Sequence, residues 1–320
     1  MTEVARQTPA AAGEALRPAP VAAARPGRFR TWLDRRAWRD LIIAIPYVWL
    51  LIFFLVPFFI VVIIAGGTAV VGIPPVAWEA EFPYLTFDNF VFLTEDNLYW
   101  MGYVNSVRIA AVSTLICLVV GYPMALGIAR SEGIWRHVML LMVILPFWTS
   151  FLLRIYAWMG MLGNRGIINN FLINYGFIDE PIAMMNTDFA VYVGIVYSYL
   201  PFMVLPLYAN LEKLDYTLNE AAMDLGSRPW EVFRDITLPL SIPGIIAGAM
   251  LVFIPATGEY VIPTLLGSAD SPMIGRVLAD EFFLNRDWPV AAAVAVALLL
   301  LLVVPIMIYS HIESKTAQRG

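Results

Sequence analysis

The sequence predicts an all-α polytopic membrane protein with six transmembrane helices and both termini inside the cell. Three observations predict it. Of 320 residues, 60% are hydrophobic and 14% charged, where soluble domains carry about a quarter charged residues; mean hydropathy is +0.73. Six stretches reach the roughly 20 mostly apolar residues that cross about 30 Å of hydrocarbon. Basic residues gather on one side of those stretches, the side that remains cytoplasmic. The first observation already excludes a disordered chain and a soluble enzyme, and a net charge of −5 argues against a nucleic-acid partner.

The chain opens on a tail rich in Ala, Pro and Arg. Its first 27 residues show no apolar period and no hydrophobic signal core, so residues 1–40 read as a disordered, basic cytoplasmic segment. The six spans follow at 41–64, 107–128, 138–162, 189–211, 242–266 and 290–309, as one membrane domain over 41–311 before a short cytoplasmic tail at 312–320. Orientation comes from the loops. The tail holds Arg6, Arg17, Arg25, Arg28, Arg30, Arg35, Arg36 and Arg39, whereas the loop between spans one and two carries acids and no base. Of 20 Lys and Arg, only Arg108, Arg154, Arg165, Arg276 and Arg286 fall outside the inner segments. No internal repeat is visible.

The energy source for transport is not in this chain. A phosphate-binding P-loop needs glycine amides around the phosphates and a lysine on them, and Lys213 and Lys315 follow Glu212 and Ser314 instead. His137 and His311 lie too far apart in sequence for an HExxH zinc site, Cys117 is the single cysteine, and no GxSxG nucleophile turn occurs.

The most informative segment is the inner loop 212–239. It is acidic where inner loops are usually basic, and an anionic leaflet would repel it. Leu218, Ala221, Ala222 and Leu225 fall at i, i+3, i+4 and i+7, one apolar stripe of small cross-section. Gly226 is placed to end that helix in a left-handed conformation, Pro229 to open a second short helix with Glu231 in its first turn, and Pro239 and Pro243 to bracket the return to the membrane. Such a loop is either an amphipathic hairpin lying on the bilayer or a helix presented to the groove of a partner.

Here the residues reach a family. Glu220-Ala221-Ala222, three residues, Gly226, nine residues, Ile236, one residue, then Leu238-Pro239 resembles the full EAA pattern of ABC importer permease subunits. The stretches 145–151, 154–158, 200–206, 243–248 and 285–289 are similar to the polyamine branch of that family, and Pro255 to Pro263, with its acid and proline, is nearer the putrescine-type than the spermidine-type first permease subunit. The resemblance implies the type I (MetI-like) importer-permease fold in a bacterial inner membrane, with polyamine as cargo. It implies that Glu220, Ala221, Ala222, Asp224 and Gly226 dock into an ATP-binding subunit. It also implies that ATP and Mg are held by that subunit with no cofactor in this chain, and that the partners are a second homologous permease, two ATP-binding subunits and a periplasmic substrate-binding protein. Another small cation or organic solute as cargo, an ion-driven secondary transporter and a membrane scaffold are the alternatives.

Two charges lie within spans. Arg154 and Glu259 sit sixteen and seventeen residues into spans three and five, roughly 24–26 Å along each helix at about 1.5 Å per residue. They are placed either to pair and hold two helices together, or to leave Glu259 facing a cation in the translocation path. Trp148, Tyr156 and Tyr260 add aromatic faces suited to an alkyl diamine, although interfacial belts also collect such residues. Pro255 and Gly258 mark either a break that lines a cavity with backbone oxygens or a packing kink. Outside, the acidic loop with Trp78, Tyr84, Phe87, Phe90 and Phe92, and the segment Phe282 to Trp288, are two rival docking surfaces for a delivery protein; for the first loop a capping helix over the bundle is the alternative.

Overall fold

The computed structural model describes residues 38–77 and 86–317. The basic tail expected over 1–40 lies almost wholly outside these residues, as do Trp78, Tyr84 and residues 318–320. The chain forms two compact units, Met1–Phe58 and Phe59–Gly320.

The described part of the first unit is helical. Helix α1 (Trp38–Leu50) passes through a wider π-helical turn (Leu51–Leu55) into α2 (Val56–Ala65), and from Ile42 to Val56 every side is exposed and mostly apolar. A helix apolar all round belongs in lipid.

In the second unit, a short antiparallel ribbon pairs β1 (Thr68–Ala69) with β2 (Val76–Ala77), followed by α3 (Asp88–Glu95) and the long α4 (Asn97–Arg130). The Asp96 carboxylate accepts the Leu98 N–H at 2.8 Å and so starts α4. Among the buried positions of α4, Gly102, Ser106, Ala110, Ser113, Cys117, Gly121 and Ala125 form a stripe of small residues every three or four positions, flanked by the buried Tyr99, Ile109, Tyr122 and Ile128. Close helix contact in a bilayer is built on such stripes, because lipid gives no hydrophobic drive between helices. Helix α8 (Asp188–Leu211) and α11 (Leu238–Thr257) pack on α4 and on each other, and this three-helix group is the core of the fold. Gly244 and Gly248 let α11 touch α8: a Cβ on Gly248 would fall 2.8 Å from Met203 Sδ, and one on Gly244 would fall 2.7 Å from Asn210 Cβ. At the inner end Tyr122 and Ser241 share a 2.9 Å hydrogen bond between hydroxyls.

All six expected spans fall on helices, and two of them depart from a single rod. The third divides into α5 (Gly133–Ile144), a tight turn over Leu145–Trp148, and α6 (Phe151–Leu162) with α7 (Ile167–Asn174), the two parts meeting at 91°. Pro146 cannot continue an α-helical hydrogen-bond ladder, and Thr149 and Ser150 take extended backbone that ends it. The fifth begins earlier than its apolar run suggests. The short helix α10 (Pro229–Val232) leads through a π-helical turn, Phe233–Thr237, directly into α11, so Pro239 and Pro243 lie within a continuous helix rather than bracketing it. Pro239 follows directly on the π-helical turn, within that continuous helix, and removes one backbone donor there. At the other end α11 stops at Thr257 and the chain resumes as α12 (Val261–Leu266).

Helix α13 (Ile274–Asp280), a π-helical turn over Glu281–Asn285 and α14 (Trp288–Ala317) complete the unit. Helix α3 lies as a cap against α14 and α4; its Leu93 is buried, and Asn89 donates to the carbonyls of Ala65 and Gly67 at 2.8 Å each.

Candidate functional site

Loop 212–239 builds a short surface helix. Helix α9 (Thr217–Asp224) starts where the Asp215 carboxylate accepts the Thr217 N–H at 3.0 Å, a bond that holds the Asp215 carboxyl below the usual carboxylate range. It ends at Gly226, whose φ of +90° is the expected left-handed stop, with the N–H groups of Gly226 and Ser227 returning to the carbonyls of Met223 and Ala222. Pro229 opens α10, and the Glu231 carboxylate accepts the Arg228 N–H at 2.8 Å. None of the residues from Thr217 to Gly226 is buried. Leu218, Ala221 and Leu225 are exposed, Leu225 by 89%, while Ala222 is half-buried. On another side Asn219, Glu220 and Met223 line a cleft of about 560 Å³ with Arg130, Glu132 and Arg136 from the end of α4 and the start of α5. Three residues of the stripe, Leu218, Ala221 and Leu225, are thus left exposed.

Glu259 stands in the gap between α11 and α12 and is 8% exposed. One carboxylate oxygen accepts the Tyr199 hydroxyl at 2.5 Å; the other accepts the N–H groups of Val261 at 3.0 Å and Ile262 at 3.4 Å. These two amides begin α12 and have no acceptor in their own helix, so the carboxylate caps it. The carbonyls of Gly258 and Glu259 pack against Gly275, where a Cβ would come within 2.5 and 2.6 Å of them. The break is therefore at Gly258 to Tyr260 rather than at Pro255, and these oxygens face protein rather than an open cavity. Tyr199 was not singled out from the sequence. Its signal was a tyrosine inside an apolar span, whose hydroxyl must find a partner when buried.

The ion pair between Arg154 and Glu259 is not formed. Counting depth along straight helices put the two level, but the 91° bend takes α6 off the axis assumed for Arg154, and Glu259 turns toward α8 and α12. The Arg154 guanidinium lies over the rings of Phe147 and Phe151, 5.5 and 5.6 Å from their centroids, and its Nε and Nη1 are buried without a hydrogen bond. Since Phe147 precedes the bend and Phe151 follows it, Arg154 spans the corner. Trp148, Tyr156 and Tyr260 are all exposed.

The two rival docking segments of the sequence reading meet. Ala69 to Ile73 and Pro75 of the ribbon and Asn285, Arg286 and Asp287 of the turn before α14 line one groove of about 520 Å³. Arg286 holds the corner with a φ of 56°, and Val71, Ile73, Phe283 and Leu284 are exposed nearby.

The chain belongs to the family described as the inner membrane component of binding-protein-dependent transport systems, whose model matches residues 18–318. It is 38% identical over 276 residues to the spermidine/putrescine transport system permease protein PotB of Haemophilus influenzae, covering 85% of this chain and 93% of that one. To the PotB protein of Escherichia coli it is 42% identical over 233 residues, 72% of this chain and 84% of that one. The permease fold of a crystallised bacterial alginate ABC transporter, in complex with an alginate pentasaccharide-bound periplasmic protein, superposes with a TM-score of 0.70 at 17% identity, covering 90% of this chain and 98% of that chain. The protein is thus a multi-pass inner membrane permease, a transport subunit rather than an enzyme, with no cofactor of its own.

Proposed function

We propose that this chain is one of two permease subunits of a bacterial ABC importer for polyamine, with putrescine the expected cargo and spermidine the alternative. The names of the relatives carry both polyamines. The observation that carries the mechanism is the helix α9, held at both ends by its own turn chemistry, with Leu218, Ala221 and Leu225 of its apolar stripe exposed. In this reading loop 212–239 is cytoplasmic, and Ala221, Ala222 and Leu225 enter a groove of one of two ATP-binding subunits, where ATP and Mg reside. Glu220, Asp224 and Gly226 fix the helix and its end. ATP-driven closure moves α9, and the motion passes into α8 and α11.

The substrate path in this reading runs past the break at Glu259. Glu259 is the acidic group there, and Tyr260, Trp148 and Tyr156 offer aromatic faces to a cationic alkyl chain. The shared outer groove, with its apolar rim and the Arg286–Asp287 corner, supports docking of the periplasmic binding protein on both outer segments at once.

The test is uptake of labelled putrescine by vesicles holding this chain, its sister permease and the ATPase, with binding protein added. ATP-dependent uptake is expected from the native complex. Ala222→Lys, which places a charge in the groove contact, is expected to remove the ATPase from the purified complex. Association and ATP hydrolysis without putrescine or spermidine uptake would discard the polyamine cargo and keep the importer; an ATPase indifferent to Ala222→Lys would discard the coupling role.

A further inference from the structure

We infer that Arg136, outside the EAA pattern, is a strut that transmits the movement of the coupling loop to three helices at once. The inference rests on the coupling role proposed for loop 212–239. Arg136 lies in the first turn of α5. Its Nε donates to the carbonyl of Ser131, in the turn between α4 and α5, at 2.8 Å. Its Nη2 donates to the carbonyl of Ala129, in the last turn of α4, at 3.4 Å. Its Nη1 donates to Glu212 Oε1, at the C-terminal end of α8, at 2.9 Å. One rigid guanidinium fork thereby joins the inner ends of α4, α5 and α8, a task that the single ammonium of a lysine cannot repeat.

The connection from Glu212 to α9 is short and stiff. The N–H groups of Glu212, Lys213 and Leu214 return to the carbonyls of Tyr208, Asn210 and Leu211 at 2.8, 3.2 and 3.2 Å, and Asp215 then caps α9. These bonds tie the segment to the end of α8, and Arg136 stands as the next link. Its side chain and that of Glu212 are both partly exposed, 31% and 40%. An ion pair so placed contributes little to folding, so its position at the junction of three helix ends and the coupling loop assigns it a mechanical role instead.

The experiment uses the full complex in vesicles and reads polyamine taken up per ATP hydrolysed. Arg136→Lys, Glu212→Ala and the double variant are compared with native protein, with ATPase association and melting temperature measured alongside. Both single variants are expected to lower the ratio by about threefold or more, with association, hydrolysis and melting as in native protein. The double variant is expected to be no worse than either single one, because the two residues act as one link. An unchanged ratio in the single variants, or losses that multiply in the double, overturns the strut. If Ala222→Lys retains the ATPase, the coupling reading itself has failed and the strut with it; the two failures are told apart by that control.

Discussion

The Glu259 carboxylate holds three donors in one place, a tyrosine hydroxyl from α8 and two amides that open α12. Removing it leaves a buried hydroxyl and two helix-start amides unpaired where neither water nor lipid replaces the acceptor easily. Glu259→Ala is therefore expected to cost about 3 kcal/mol, seen as a fall in melting temperature in detergent. Glu259→Gln keeps an acceptor and removes the charge, so melting is expected to stay near native while polyamine uptake drops. Full uptake by the Gln variant would show that the charge is outside the cation path and that the carboxylate serves only the break. Arg154 illustrates the same scale from the other side: its rings, Phe147 and Phe151, are seven and three residues away in the chain, and the bend between them is what lets both reach one guanidinium.

Among the elements, the contact of α8 with α11 is close and sensitive to change. Gly248 has Met203 Sδ at 2.8 Å and the Met203 carbonyl at 3.0 Å from where a Cβ would stand; the second of these is backbone and cannot swing away. Gly248→Ala is expected to destabilise by about 1–3 kcal/mol, and Gly248→Leu to prevent recovery of folded protein. Gly127 on α4 is the control, since a Cβ there meets nothing within 4 Å; Gly127→Ala is expected to leave melting unchanged or raise it slightly. Equal effects at both positions would show that close approach does not set the α8–α11 distance. Much of this was readable in advance. The run Gly244-Ile245-Ile246-Ala247-Gly248 has the small-residue spacing of membrane helix contacts, yet nothing in it names Met203 or Asn210 as the residues that fill the space.

At the level of the whole molecule the proposed orientation makes a clean prediction. Asp215 before the coupling helix and Val71 at the tip of the ribbon are both exposed and belong to opposite sides of the membrane in this reading. The native Cys117 is fully buried, so its background reactivity is low. In sealed inverted vesicles Asp215→Cys is expected to react with an impermeant thiol reagent at once and Val71→Cys only after lysis; the opposite result would invert the molecule, place loop 212–239 outside and end the coupling reading.

The sequence by itself determined that this chain lives in a membrane, where its apolar segments lie, where the first helix of loop 212–239 ends and the second opens, and to which transport family it is similar. Each of those is written in local chemistry: lengths of apolar residues, a left-handed glycine at Gly226, a proline at Pro229, the spacing of one loop pattern. Only the tertiary structure decided which groups Arg154 and Glu259 meet. Arg154 and Glu259 are level on straight helices and apart on real ones, because Pro146 and the gap at Gly258 to Tyr260 break those helices, and a break redirects everything beyond it. The same holds for the partners that count most here: Tyr199 for Glu259, Glu212 for Arg136, and Asn285 to Asp287 for the ribbon. They lie tens to hundreds of residues apart in the chain, and no local preference encodes which of many distant groups a buried or interfacial charge will meet.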